Sequence, residues 1–288
     1  MMLGAVELGG TKIRVARGGG DGRIEAGETF ATVGPDESFA RILDFFRGGS
    51  PIDAIGIGAF GPVAVGRGDA DYGRLRGTPK PGWRDFDIGA AMGSLGVPVA
   101  IDTDVNAAGR AEAALGALAG LDSGIYLTVG TGIGGALIVG GSPAPGASHP
   151  EMGHVALVRA PGDDCPSVCT WHQNCAEGLA SGPAIERRFG ASLSALPDGH
   201  PGRALIAFYL GQLLASLVLA AAPRRIVIGG GVAKTPGLHE RAHAAMLRSL
   251  NGYGLYPGVE GPDFVVPPAL GDDAGLAGAL LMAGACRP

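Results

Sequence analysis

The sequence predicts an α/β fold arranged as two lobes. Three observations carry that prediction. Short apolar runs with strand character alternate with helical segments along most of the 288 residues. A strand, glycine turn and second strand occur together twice, around ELGGTK near the start and around TVGTGIGG after Gly124. The chain is 46% hydrophobic and only 17% charged, so its 53 glycines and 21 prolines do not signal disorder, and a sizeable core can be buried.

The elements follow in order. Leu3 to Leu8 is an apolar strand that turns at Gly9-Gly10 into Ile13 to Ala16. Pro35 opens a helix whose Phe39, Ile42, Leu43 and Phe46 fall at i, i+3, i+4 and i+7, a single apolar face. Ile55 and Ile57 alternate with glycine in a strand that ends at Phe60. A strand is expected over Val97 to Ile101 and an alanine-rich helix from about Asn106 to Leu118. Ile125 to Val129 and Ala136 to Val139 flank the second glycine turn. A long helix over Arg203 to Ala222, a strand over Arg225 to Ile228 and a final helix over Asp273 to Ala285 complete the pattern. The expected organisation is a smaller N-terminal lobe of residues 1–115, completed by about 272–288, and a larger lobe of 116–271. The two would face each other across a cleft, with a hinge near Glu112 to Leu121.

Charge and cysteine usage narrow the function. With 22 Lys+Arg against 27 Asp+Glu the net charge is −5, which argues against a nucleic-acid partner. No apolar run reaches the ~18 residues of a membrane helix. The longest, Leu213 to Ala222, is interrupted by Ser216 and stops at Pro223. The start of the chain shows no basic leader, so a cytoplasmic address is expected, where cysteines serve as metal ligands more readily than as disulfides.

Gly9-Gly10-Thr11-Lys12 follows a strand directly. Its glycines let the backbone approach phosphate oxygens, its N–H groups can bind an anion, and Thr11 and Lys12 add a hydroxyl and a positive charge. Gly130-Thr131-Gly132-Ile133-Gly134-Gly135 repeats this chemistry. It is neither a Walker A loop nor a dinucleotide fingerprint, because no Gly-Lys-Ser/Thr and no helix follows. With Gly229-Gly230-Gly231 at a third strand end, the set points to a nucleotide: triphosphate between the hairpins, adenosine against the third glycine cluster.

Asp102-Thr103-Asp104-Val105-Asn106 lies where a strand hands over to a helix, at the carboxyl end that usually holds ligands in open α/β sheets. Asp102 reads best as a helix cap. Asp104 can accept the proton of a hydroxyl as it attacks phosphorus, the only base phosphoryl transfer needs. Cys169-x-x-His172-x-x-Cys175 with His154 upstream offers the four ligands of a closed, structural zinc site, with Cys165 left outside the set. Glu151 and Glu177 flank it. Carboxylates held on such a loop suit a polyol, whose hydroxyls they can accept; a solvated surface role for either is the alternative.

GGTK, TDVNAA, TVGTGIGG, HPEMGH, the Cys/His run and GGGV stand in the order found in the ROK sugar kinases, and the resemblance covers nearly the whole chain. It implies an actin-like, hexokinase-like (ribonuclease H-like) fold binding ATP and a hexose. Phe60-Gly61-Pro62, Tyr72-Gly73, Thr78-Pro79-Lys80-Pro81-Gly82-Trp83 and Glu177 to Pro183 look closest to the bacterial zinc-containing fructokinase branch. The resemblance makes Asp104 the general base and Asn106, Glu151, Glu177, Gly61 and Pro62 sugar-binding. It gives Gly9, Gly10, Thr11, Lys12, Gly130, Thr131, Gly132 and Gly134 to the phosphates and Gly229, Gly230 and Gly231 to adenosine. His154, Cys169, His172 and Cys175 match a structural Zn²⁺ set, and Glu7 a water-mediated Mg²⁺ contact. Within the zinc loop Thr170-Trp171 and Gln173-Asn174 depart from the branch pattern. The resemblance further implies a homodimer and phosphorylation of D-fructose to fructose 6-phosphate. A broader hexokinase acting on mannose or glucose is the alternative within the family, and a sugar-sensing regulator the remote one.

Overall fold

The computed structural model describes residues 1–78 and 80–286, and the chain forms two compact units. The first comprises Met1–Leu115, Ser142–His149 and Asp273–Pro288, the second Gly116–Gly141 and Pro150–Asp272. Residues 142–149, which the sequence reading gave to the second lobe, belong with the first unit. Two contacts within that unit hold them: Ser142 Oγ accepts from Arg110, and His149 Nε2 accepts the Val63 N–H.

The first unit is built on a sheet of β1 (Leu3–Leu8), β2 (Lys12–Gly18), β3 (Ile24–Ala31), β4 (Ala54–Ala59) and β5 (Val99–Thr103), in the order β3-β2-β1-β4-β5. β1, β4 and β5 run parallel and β2 lies antiparallel to both β1 and β3, so Gly9, Phe60 and Asp104 follow strands that end at the same side. β3 is absent from the sequence reading because only Phe30 along it is buried, which leaves no apolar alternation to detect.

Alternation of side chains across the strands divides the core. Val6, Leu8, Ile55 and Ile57 face α1 (Pro35–Arg47), whose Phe39, Ile42 and Phe46 are buried as the periodicity predicts. Leu3, Ala5 and Ala54 face α8 (Ala274–Ala285). Small residues let α8 approach closely. A Cβ on Gly56 would fall 1.9 Å from the Ala279 carbonyl oxygen, and one on Gly278 1.8 Å from that of Ala107 in α3 (Asp104–Leu115). Short α2 (Ile88–Met92) and the two-residue β8 (Ser142–Pro143) complete the unit.

In the second unit β6 (Ser123–Val129) and β7 (Ile133–Val139) form an antiparallel hairpin. β9 (Ile226–Gly229) runs parallel to β6, and β10 (Val265–Val266) parallel to β9. Four helices cover them: α4 (Ala176–Ala180), α5 (Gly182–Phe189), α6 (Pro201–Ala221) and α7 (Leu238–Leu250). α6 corrects the sequence reading, since by length and composition it could cross a membrane. Its Ile206, Tyr209, Leu213 and Leu214 are wholly buried in this unit's core, the setting of a central helix in a globular domain. α7 was also missed. Its apolar residues Leu238, Ala242, Ala245, Met246 and Leu250 keep helical spacing but are small or separated by charged residues.

Candidate active site

The turn from β1 to β2 has a definite electrical character. The Gly9 carbonyl accepts from Thr32 Oγ1 at 2.7 Å and the Gly10 carbonyl from Lys80 Nζ. The Thr11 carbonyl accepts from the Thr32 N–H at 3.0 Å, and that of Lys12 from the Gly9 N–H at 3.1 Å. Every carbonyl is thus engaged, whereas among the described residues the N–H groups of Gly10 and Thr11 have no acceptor. Only glycine fits at position 9, where a Cβ would lie 2.7 Å from the Lys12 carbonyl oxygen. Donors left over at a strand end form an anion-binding concavity.

Glu7, on β1 just before this turn, accepts from Arg14 at 3.2 Å, and Arg14 also reaches Asp273 at 2.5 Å. A carboxylate already bonded to a guanidinium suits an outer contact through water better than a direct Mg²⁺ bond.

At the end of β5 the acids have different tasks. The α3 cap is Thr103, not Asp102: Thr103 Oγ1 accepts the Asn106 N–H at 3.0 Å. Asp102 Oδ1 instead accepts from the Thr103 N–H at 2.8 Å and from Asn106 Nδ2 at 2.7 Å. Burial pushes the Asp102 carboxyl pKa up, against these hydrogen bonds and the nearby Arg110 and His149. Asn106 is 5% exposed and its Oδ1 is buried without a partner among the described residues, while its Nδ2 donates to Asp102 and orients it. Asp104 opens α3, half-buried, with Oδ1 accepting the Val105 N–H at 2.9 Å. Gly61 and Pro62 follow β4 on the same side, where the Pro62 carbonyl accepts the Arg76 N–H at 2.7 Å.

The second unit carries the other glycine turns on neighbouring strands. Between β6 and β7 the Gly130 N–H donates to the Gly132 carbonyl at 2.9 Å, and the Gly130 carbonyl accepts the Gly182 N–H at 2.7 Å. Among the described residues the Thr131 and Gly132 N–H groups have no acceptor, so this turn repeats the donor surplus of the first. After β9, Gly230 takes a left-handed φ of 91°, and a Cβ there would fall 2.4 Å from the Val129 carbonyl oxygen. The glycine cluster 229–231 therefore lies against the end of β6, beside the phosphate-type turn.

The four ligand atoms offered by His154, Cys169, His172 and Cys175 lie within 4.8 Å of one another. Cys169 Sγ is 3.7 Å from His154 Nδ1 and 3.6 Å from His172 Nδ1. Zinc bond lengths of roughly 2.0–2.3 Å give a tetrahedral edge of about 3.5 Å, so the set fits the ion. Cys165 stands outside it.

His154 also points outward. Its Nε2 is 3.9 Å from Glu177 Oε1, and Glu177 Oε2 accepts the Ile133 N–H at 2.9 Å. Glu151 lies near enough that partial desolvation first, then the Glu177 charge, raises its pKa. Two acids, the Cys/His cluster and the second glycine turn thus form one contiguous group within this unit. The sequence marks the two glycine turns, the β5–α3 junction and the Cys/His group, but not Arg14, Thr32 or Arg110. Lys80 was visible only as part of a family-like motif without a task.

Solved structures with this fold include sugar kinases. The ROK hexokinase of Thermus thermophilus superposes with a TM-score of 0.77 at 33% identity, covering 98% of both chains. A ROK glucokinase from Streptomyces griseus, solved with glucose and AMPPNP, superposes at 0.79 and 28% identity over 98% of this chain and 99% of that one. The fold is therefore of the actin-like, hexokinase-like class, and the protein is a carbohydrate kinase. It belongs to the ROK family, whose profile matches residues 3–285. Among curated relatives, a fructokinase of Pediococcus pentosaceus is 39% identical over 284 residues, 98% of each chain.

Proposed function

We propose that this ROK kinase transfers the γ-phosphoryl group of ATP to the 6-hydroxyl of D-fructose, with Asp104 as general base. The observation that carries the chemistry is the pair of glycine turns that each leave two N–H donors open among the described residues, the first with all its carbonyls engaged. Fructose as substrate is supported by fructokinase relatives at 31–40% identity over most of the chain.

Each residue has a task in this reading. The N–H groups of Gly10, Thr11, Thr131 and Gly132 hold phosphate oxygens, with Lys12 adding charge, and the glycines 229–231 leave room for adenosine. Glu151 and Glu177 accept hydrogen bonds from sugar hydroxyls, and Gly61 and Pro62 line the sugar's place. Asp104 takes the proton from the attacking hydroxyl. Asn106 acts through Asp102, which keeps the start of α3 in register. Bound Mg²⁺ would neutralise charge on the transferring phosphates, with Glu7 holding its water. Zn²⁺ in the Cys/His set would be structural, fixing the segment that leads into α4, where Glu177 stands. In this reading the enzyme works in the cytoplasm as a homodimer, which sedimentation would test.

The deciding experiment is ADP release with Mg-ATP across fructose, mannose, glucose, N-acetylglucosamine and N-acetylmannosamine. Fructose should lead in kcat/KM by at least tenfold, about 1.4 kcal/mol of discrimination. Equal turnover of glucose or mannose would replace fructokinase by the broader hexokinase.

A further inference from the structure

Lys80 is one of three lysines in the chain. Lys234 pairs with Asp272 at 2.7 Å, but among the described residues neither Lys80 nor Lys12 has a carboxylate partner. Lys80 is half-buried, and its ammonium donates to the Gly10 carbonyl, 70 residues away in the chain. The approach is built into the fold. Thr78, 7% exposed, accepts the Lys80 N–H on its hydroxyl at 3.3 Å. Trp83, wholly buried against Phe39, Phe60 and Phe86, donates from Nε1 to the Val33 carbonyl at 2.9 Å and anchors the segment.

We propose that Lys80 is a positioning residue for phosphoryl transfer, whose ammonium fixes and polarises the Gly10–Thr11 peptide that presents its N–H to the nucleotide phosphates. This rests on reading Gly9–Lys12 as a phosphate turn. Thr32 does the equivalent work on the Gly9 carbonyl with a neutral hydroxyl, so holding the backbone needs no lysine. Holding a lysine fixed costs side-chain freedom that the short Thr32 hydroxyl does not lose to the same extent. What the ammonium adds is charge. Donation to the Gly10 carbonyl strengthens the Thr11 N–H of the same peptide as a donor, since linked hydrogen bonds polarise one another. It also places a second uncompensated cation, with Lys12, on the turn that receives anions. Lys80 thus acts through the backbone of the turn, while Lys12 lies on the turn itself.

The test compares Lys80→Met and Lys80→Arg with the wild-type chain, measuring ATP and adenosine binding by calorimetry, steady-state kinetics with fructose, and Tm. Lys80→Met should weaken ATP binding at least tenfold while leaving adenosine affinity and the KM for fructose within threefold. Lys80→Arg should return ATP binding to within threefold of wild type. ATP affinity within twofold of wild type in Lys80→Met overturns the proposal. So does equal impairment in both variants with a parallel fall in Tm and adenosine affinity, the signature of a structural role. Should the wild-type chain bind ATP but phosphorylate no fructose, the substrate reading falls and the comparison of ATP with adenosine still decides Lys80. A wild-type chain that binds no ATP overturns both.

Discussion

Glu177 accepts the Ile133 N–H on Oε2 at 2.9 Å. That bond ties the carboxylate proposed for sugar to the turn proposed for phosphate, and a Cβ on Gly132 would lie 2.6 Å from the same oxygen. On these proposed roles, one side chain links the binding of the two substrates. Glu177→Gln keeps an acceptor for Ile133 but loses the charge, and should raise the KM for fructose about tenfold with the KM for ATP within threefold. Glu177→Ala also frees the turn and should raise both. Bisubstrate kinetics on the pair distinguish the cases; identical behaviour of the two variants would show that the Ile133 bond carries no coupling.

Asp104 sits at the junction of β5 and α3, where the helix fixes its backbone and Oδ1 accepts the Val105 N–H. Asp104→Asn preserves shape and that acceptor but cannot take a proton. Because a positioned general base contributes roughly 10²–10⁴-fold, kcat should fall by at least a hundredfold while fructose affinity by calorimetry stays within threefold. Turnover near wild type would remove Asp104 from the role.

The Cys/His cluster should bind one zinc per chain. A ligated His154 would carry its proton on Nε2, toward Glu177, so that the metal orients the histidine and the histidine the carboxylate. Cys169→Ala should lower zinc content below one half per chain, reduce Tm by several degrees and weaken fructose binding. Mass-spectrometric metal analysis with calorimetry reads all three. Full fructose affinity in a zinc-free protein would disconnect the cluster from the sugar.

Much of this arrangement is legible in the sequence because glycine and ligand spacings are local. Gly9 to Lys12 and Gly130 to Gly135 each lie within a hairpin, and three of the four Cys/His positions fall within seven residues. Contacts between distant segments are not legible. Nothing near Lys80 announces Gly10, and nothing near Thr32 announces Gly9. The cap of α3 was misassigned for a related reason. Asp102 and Thr103 are both good capping residues, and only the strand's exit direction turns the threonine hydroxyl toward the Asn106 N–H. β3 was missed because its buried side chains are too few to leave a period, and α6 was misjudged because Gln212 and Ser216 break up a long apolar helix when read by runs.

Asp102 offers a separate, thermodynamic test. Its native pKa lies above the reference of 3.8, with burial the largest cause. Between the unfolded value and the raised native one, the folded chain holds more protons than the unfolded chain. Stability therefore falls as pH rises through that window, and the loss persists above it. Asn at this position keeps an oxygen for the Thr103 N–H and the Asn106 amide but never ionises, so Asp102→Asn should escape the loss. Its Tm relative to wild type should rise between pH 4 and pH 7. Arg110 and His149 both favour the charged form and limit the gain. A Tm difference that shrinks over the same range would mean that Asp102 is stabilised as a carboxylate in the folded chain, with its neighbours outweighing burial.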